Sequence, residues 1–474
     1  MSESIKKAHR FAAVTWNSVP RDWEATDGSW IPRALDDIER LDHTVVVLQT
    51  VAQTHPCHPA RPREVERESM SRATPPHSID STTGPGPLAG YSWRDVTPEQ
   101  ALQLYEQARE GCPIAYSERL GGFHLLIDYA DVKRAMSDWK TFSSCPTVLR
   151  PASDRPPFPP LEYDPPQHRG WRVLTKQILN PKTPTVIEDA VRRDVDRCID
   201  GFAPSGTCDL VRDLALPIPL LAICHIFGLG DEQADEVHRL TDNMFGAIGS
   251  DQEQPTREAF EQFVMAEVET RRRGERDDGL ALIARGTIDG RPLADEEILR
   301  FVMGTLAAGH GTAVAGLASL FDEVLSRPDV RAELLADPSL VPRAIEETLR
   351  LRPPIFGFYR NATTGVTVRQ TSIEAGESVF MAWAAANRDP EHFENPSTFD
   401  LHRKPNRHLS FGHGIHACIG APVARVEMQI ALTTLLERLP DIEIDRQRRG
   451  DYVFAMGDGP FLTALPARFR PRGS

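Results

Sequence analysis

Residues 408–427 read HLSFGHGIHACIGAPVARVE: Gly412, Gly414 and Gly420 stand around a single cysteine, Cys418, and a helical pattern opens at Pro422. Glycine admits positive φ, so a backbone rich in it can turn tightly and approach a flat ligand closely. A cysteine at the mouth of a helix meets unpaired amide N–H groups and the positive end of the helix dipole. Both favour the thiolate, the form that binds metal. His413, His416 and Cys418 could alternatively hold zinc, but no fourth ligand stands at useful spacing and a structural site takes four. Taken alone, the stretch is equally a glycine-rich turn with an incidental cysteine.

Other stretches decide between these readings. Glu347 and Arg350 lie i, i+3 in a helical pattern over 340–351, so they share a face and can meet. Such a pair is ordinarily solvated and contributes little. In Asp164-Pro-Pro-Gln-His168-Arg-Gly-Trp-Arg172, Asp164 can cap a helix and Pro165 suits its first turn, while His168 and Arg172 project together. The longest helical pattern, 293–326, contains Leu306-Ala-Ala-Gly-His-Gly-Thr312. Its small residues leave room beside the helix, and the Thr312 hydroxyl can bond locally and help the helix bend.

As a set, these stretches resemble the cytochrome P450 superfamily. Phe411 to Gly420 matches all six fixed positions of the haem-binding signature FGxGxHxCxG. Glu347-Thr-Leu-Arg350 resembles ExxR, with Arg403 of FDLHR as its partner, and AANRDP (385–390) and Phe399-Asp400 also match. The likeness runs in order over about residues 91–470, roughly four-fifths of the chain. It implies a mainly α fold with small β-sheets, forming one large haem-binding domain. It implies haem b with Cys418 as the axial iron ligand, and His168, Arg172, Arg360 and His416 on the haem propionates. Phe411, Gly412 and Gly420 would shape the cysteine loop. Glu347, Arg350 and Arg403 would be structural, anchoring the chain beneath the haem. Ala308, Gly309 and Thr312 would form the catalytic, oxygen-facing stretch. Gly304, Ile355, Phe356, Phe358, Phe454 and Met456 would line an apolar or aromatic substrate pocket.

The resemblance has one departure. The family pattern (A/G)Gx(D/E)T places an acid where this chain has Gly311. His310 is not an obvious substitute, lying about 100° from position 311 and about 200° from Thr312 around the helix. A water chain or a polar substrate group could supply protons instead. The expected function is haem-thiolate monooxygenation of a small or medium organic substrate with dioxygen. The alternatives are a peroxide-driven or non-hydroxylating haem enzyme, and a haem ligand sensor. No flavin or iron–sulfur motif is present, so electrons would come from a ferredoxin or flavodoxin with its NAD(P)H-dependent reductase. Arg169, Lys176 and Arg425 are the candidate docking cations.

Composition bounds the rest. Length alone, 474 residues, suggests about three domains. The motifs must meet at one haem, however, so residues 91–470 are expected to form a single domain. With 54 basic against 68 acidic residues, net −14, the chain is poorly suited to nucleic acid. Seven scattered cysteines without a CxxC pair fit a reducing cytoplasm. No run of about 18 apolar residues or signal peptide is evident, so no membrane partner is expected. Proline is in excess, 39 of 474 or about 8% against a usual level of about 5%. One cluster falls in residues 1–88, an extension expected to be disordered or non-native, with Met70 as a possible true start. There Trp16, Trp23 and Trp30 repeat every seven residues but are interrupted by Pro20 and Gly28, and His55, Cys57 and His58 read as chance tail residues. The other cluster, eight prolines in 146–166, marks a long loop of the functional or mobile kind.

Overall fold

Apolar residues at helical spacing pull distant stretches of the chain, from Ile187 to Phe469, into one core. On helix Thr183–Phe202, Ile187, Val191, Val195 and Ile199 form one buried stripe. It packs with Leu317, Phe321 and Val324 of Gly311–Leu325, Ile345 and Leu349 of Val341–Leu351, and Leu432 and Leu435 of Ala421–Arg438. Phe321 is fully buried there, and truncating such a side chain to alanine costs about 3–5 kcal/mol. The computed structural model describes residues 87–111, 114–150, 156–179, 182–246, 252–455 and 459–471. The expectations for the extension before residue 87, its tryptophans, its histidines and Met70, and the pocket role of Met456, lie outside the described residues.

The long central helix departs from its expected continuous form. It consists of Asp295–Gly309 and Gly311–Leu325, meeting at His310 with φ −82° and ψ −71°. Thr312 Oγ1 donates to the Ala308 carbonyl at 2.7 Å, a local bond that competes with the backbone ladder. The amides of His310 and Val314 still bond Leu306 and His310, so the axis bends without parting. Contrary to the reading of the sequence, the stretch Asp295–Leu325 is long and apolar enough to cross a bilayer. Its leucines, valines, phenylalanines and alanines make it so, although interspersed glycines, threonines and His310 break any continuous apolar run. It is a core helix: Asp322 and Glu323 pair internally with Arg449 and Arg352.

Between residues 211 and 227 the chain forms a π-helical turn, Val211–Ala215, and then helix Pro217–Phe227. Two short helices, Gly279–Ala284 and Trp383–Ala386, carry no hydrophobic stripe that would mark them in the sequence. The first had a legible signal, since Asp278 caps it by accepting from the Ala281 amide at 2.8 Å.

A five-stranded sheet runs in the order Ile114–Ser117, Phe123–Leu126, Ser378–Met381, Phe358–Ala362, Phe142–Ser143. Only the pairing of 123–126 with 378–381 is parallel. Arg360 stands opposite Val379 on an inner strand. Side chains alternate along a strand, so Arg360 shares a face with Phe358. Tyr359 points the other way, packing on Phe123 at 5.2 Å and Phe380 at 4.8 Å. The proline-rich loop is gathered around buried Glu162, which accepts from Thr147 Oγ1 at 2.8 Å, the Phe158 amide at 2.9 Å and the Val148 amide at 3.1 Å.

Candidate active site

The cysteine loop is built by its glycines. Gly412 and Gly414 hold φ of 72° and 71°, and a Cβ on Gly414 would lie 2.7 Å from the Met136 carbonyl. The Cys418 amide closes the loop by donating to the Phe411 carbonyl at 2.7 Å. Behind the sulfur, helix Ala421–Arg438 begins, and the amides of Gly420 and Ala421 both bond the sulfur. The two amides favour the thiolate, as expected, but burial opposes them. Burial raises the thiol above its ordinary value by more than the two amides, Arg172 and Arg425 lower it.

Three elements converge on His416 beside this loop. Its Nε2 lies 3.0 Å from Ser144 Oγ at the end of strand Phe142–Ser143. Its ring meets that of His168, from helix Gln167–Ile178, at 4.6 Å between centroids. Arg172 of the same helix donates to the Ala417 carbonyl. Arg360 is buried, donates to the Tyr359 carbonyl at 2.9 Å, and burial lowers its guanidinium to about 10. His168 is pushed down to about 4, first by burial and then by the positive charge of His416 and Arg172. Asp164 does not cap the helix. Pro165 and Pro166 remove donors that a cap would serve, and the carboxylate turns instead to Ser143 Oγ and, at 3.3 Å, the Ser144 amide. Burial would raise its carboxyl, but these bonds and His416 hold it below the ordinary value.

Under the loop, Glu347 and Arg350 are both fully buried, unlike an ordinary surface pair. Glu347 accepts from Arg350 at 2.7 and 2.9 Å, Arg403 Nε at 3.0 Å, Asn406 at 3.0 Å and the Asp400 amide at 2.9 Å. Arg350 also donates to the carbonyls of Asn387, Pro396 and Thr398, so the acid and its partners pin the chain over 387–406.

On the central helix, Ala307 and Ala308 are exposed although Phe301 and Val302 before them and Gly311 and Ala313 after them are buried, so this stretch lines a cleft. The proline-rich loop reaches it, for a Cβ on Gly304 would meet Phe158 at 3.3 Å. A Cβ on Gly309 would stand 3.0 Å from Ile223. His310 Nε2 sits 3.1 Å from the Leu216 carbonyl, and the ring packs toward helix Pro217–Phe227. Gly311 is buried.

Of the pocket candidates, Phe356 and Phe454 meet edge-on at 5.3 Å and belong to a buried aromatic cluster with Tyr105. Phe358 packs on Trp383 at 5.2 Å, and Ile355 is half-buried. Arg169 and Lys176 are exposed on one outer face of their helix, with Val173 59% exposed between them. Arg425 is committed elsewhere: it stacks on Phe411 at 4.4 Å and pairs with Glu346 at 2.6 Å. Ser144, Glu162 and Glu346 escaped the sequence reading. Glu346 adjoins the ExxR acid and was within reach of it, whereas Ser144 and Glu162 are defined only by distant partners.

These residues fit a haem. Cys418 lies deep in the protein yet its side chain faces open space, and His168 Nε2 is a buried polar atom without a partner. Arg360 makes no ion pair within 4 Å among the described residues, and carboxylates such as propionates match such donors. Among the described residues no group of three or more His, Cys, Asp or Glu side chains could hold a metal ion, which disfavours the zinc reading.

Comparison with known proteins agrees. Residues 241–448 match the family description "Cytochrome P450". The chain is 33% identical over 334 residues to cytochrome P450 107B1 of Saccharopolyspora erythraea, covering 68% of this chain and 82% of that one. It is 32% identical to the mycinamicin IV hydroxylase/epoxidase of Micromonospora griseorubida, covering 75% and 92%. The crystal structure of CYP109E1 from Bacillus megaterium in complex with testosterone superposes with a TM-score of 0.71 at 27% identity, covering 78% of this chain and 99% of that one.

Proposed function

Because the chain belongs to the cytochrome P450 family, we propose that this monooxygenase acts on a small or medium apolar or aromatic organic substrate. Its cofactor is haem b, and a separate ferredoxin or flavodoxin with its NAD(P)H-dependent reductase delivers the electrons. The observation that carries the reading is Cys418, exposed at a helix mouth with two backbone amides on its sulfur.

When bound, the haem supplies thiolate-ligated iron, which activates dioxygen for insertion into a substrate bond. The protein's own residues do the rest. The Gly420 and Ala421 amides restrain charge on the Cys418 sulfur. His168, Arg172, Arg360 and His416 would hold the propionates, in charge-assisted bonds where the donor is cationic, worth roughly 1.5–3 kcal/mol each. Exposed Ala308 leaves room above, and Thr312 Oγ1 carries a proton one turn away. No acid stands at Gly311 and His310 is bonded elsewhere, so protons come through water or a polar group of the substrate. The hydroxylase/epoxidase name of one relative supports oxygen insertion into a carbon framework. Exposed Arg169 and Lys176 flanking Val173 support docking of an acidic carrier. Free thiols at Cys198, Cys208, Cys224 and Cys418 support a cytoplasmic location.

Gly311 favours one second reading, a peroxide-driven enzyme with the same site. Turnover with dioxygen and carriers, set against turnover with peroxide alone, separates the two. The test of the main reading is the carbon monoxide difference spectrum of the reduced protein. The wild type should give the thiolate-type Soret band and Cys418→Ala should lose it. A wild type without that band overturns the assignment.

A further inference from the structure

The C-terminal hairpin, Tyr452–Ala455 paired with Gly459–Leu462, meets the central helix at a buried charge cluster that the mechanism above does not use. Asp322 accepts from Arg449 Nε at 2.8 Å and Nη2 at 2.6 Å, and from the Tyr452 hydroxyl at 3.1 Å. The same hydroxyl lies 3.4 Å from Ser319 Oγ. Burial pushes the phenol well above its ordinary value, so it stays protonated and donates. Two guanidinium groups approach its ring, Arg352 at 4.8 Å and Arg449 at 5.3 Å from the centroid, and Arg352 Nε donates to Glu323 at 3.0 Å. The start of the hairpin is thus tied to Ser319, Asp322 and Glu323, one short stretch of helix. Apolar packing could hold a hairpin there, but a bidentate ion pair with a third donor also fixes its position along the helix axis.

That position reaches the oxygen-facing stretch through a short chain of contacts. Two residues beyond Tyr452, Phe454 packs on Phe356 at 5.3 Å. Two residues before Phe356, Pro354 lies 3.6 Å from where a Cβ on Gly316 would stand, one helical turn past Thr312. Segment 354–358 is therefore gripped by the central helix on one side and the hairpin on the other. We propose that Asp322, acting through Arg449 and Tyr452, is a positioning residue that sets the clearance of segment 355–358 over Ala308–Thr312, and so selects ligands by bulk. This rests on the haem-thiolate reading of the site.

The test uses the full-length, haem-loaded protein and two azole probes, imidazole and 4-phenylimidazole, titrated by their Soret shifts. Both offer the same ring nitrogen to iron and differ only in the bulk behind it. Tyr452→Phe keeps the buried ring and removes one hydrogen bond. It should change the 4-phenylimidazole Kd about five-fold while moving that of imidazole less than about two-fold, the scale of one buried bond. Asp322→Asn should shift the ratio of the two affinities further in the same direction. A Tyr452→Phe protein with an intact carbon monoxide band and an unchanged ratio overturns the positioning role and leaves the haem reading standing. So does an Asp322→Asn protein that loses the band while Tyr452→Phe keeps the wild-type ratio, since the cluster then serves folding alone. A wild type without the thiolate-type band overturns both.

Discussion

Glu427 lies on the helix that begins behind Cys418, buried, with Oε2 unpartnered, and burial raises its carboxyl to about 8 from 4.5. The folded protein therefore keeps a proton that the unfolded chain releases. Its contribution to stability is full below about pH 4.5 and declines as pH rises through about 8. Melting temperature should fall across that window, and Glu427→Gln should flatten the slope; parallel slopes in wild type and variant would remove the account. Glu346 runs the other way. Burial would raise it, but bonds from Arg425 and His408 outweigh burial and hold it at about 2, so its stabilisation is present above about 4.5 and lost as pH falls toward 2. Cys418 and His416 were legible because their signal is local, a pattern of neighbours in one loop. Asp164 was misread because its partners Ser143 and Ser144 lie some twenty residues earlier and only the fold brings them near.

Among the elements, long helices announce themselves by period, and short ones do not. Trp383–Ala386 is a single turn, too short for a 3.6-residue stripe to show. Ser378–Met381 becomes a strand by pairing with residues 123–126, a contact no local pattern encodes. The bend at His310 is accompanied by one hydroxyl bond, from Thr312 to the Ala308 carbonyl, and is likewise invisible to hydrophobic periodicity. Thr312→Ala removes that bond and the proton on Oγ1 together. The expected outcome is a folded protein with an intact carbon monoxide band that yields several-fold less product per electron, the balance appearing as peroxide. Unchanged coupling would show that the hydroxyl serves only the bend. Val341–Leu351 makes a harsher prediction. Glu347→Gln leaves Arg350 and Arg403 facing a neutral group inside the protein, a loss of about 3–5 kcal/mol. Haem retention and melting temperature should fall together, and a variant with wild-type values of both would reduce the triad to an ornament.

At the scale of the whole molecule, strand pairing joins residues 123–126 to 378–381 and 207–209 to 466–468. No cut through the middle of the chain separates two independent sheets, which supports our proposal of one haem-binding body over 89–474. The N-terminal edge of that body is sharper than composition suggested. Leu88, assigned by composition to the extension, is fully buried with Tyr91, Tyr105 and Phe123. The Tyr91 hydroxyl lies 2.6 Å from that of Tyr105, Ser117 Oγ donates to the Tyr91 carbonyl at 2.7 Å, and the Glu118 amide donates to Ala89 at 3.2 Å. A chain starting at Pro87 keeps all of these contacts and should match the full-length protein in melting temperature and carbon monoxide spectrum. A chain starting at Ser92 loses two buried side chains, each worth roughly 1.5–3 kcal/mol, and exposes Tyr105 and Phe123. At about 1 °C per kcal/mol for a protein of this size, it should melt a few degrees lower. If the chain from Pro87 melts as low as the chain from Ser92, residues before 87 contribute to the fold and the extension is part of the enzyme.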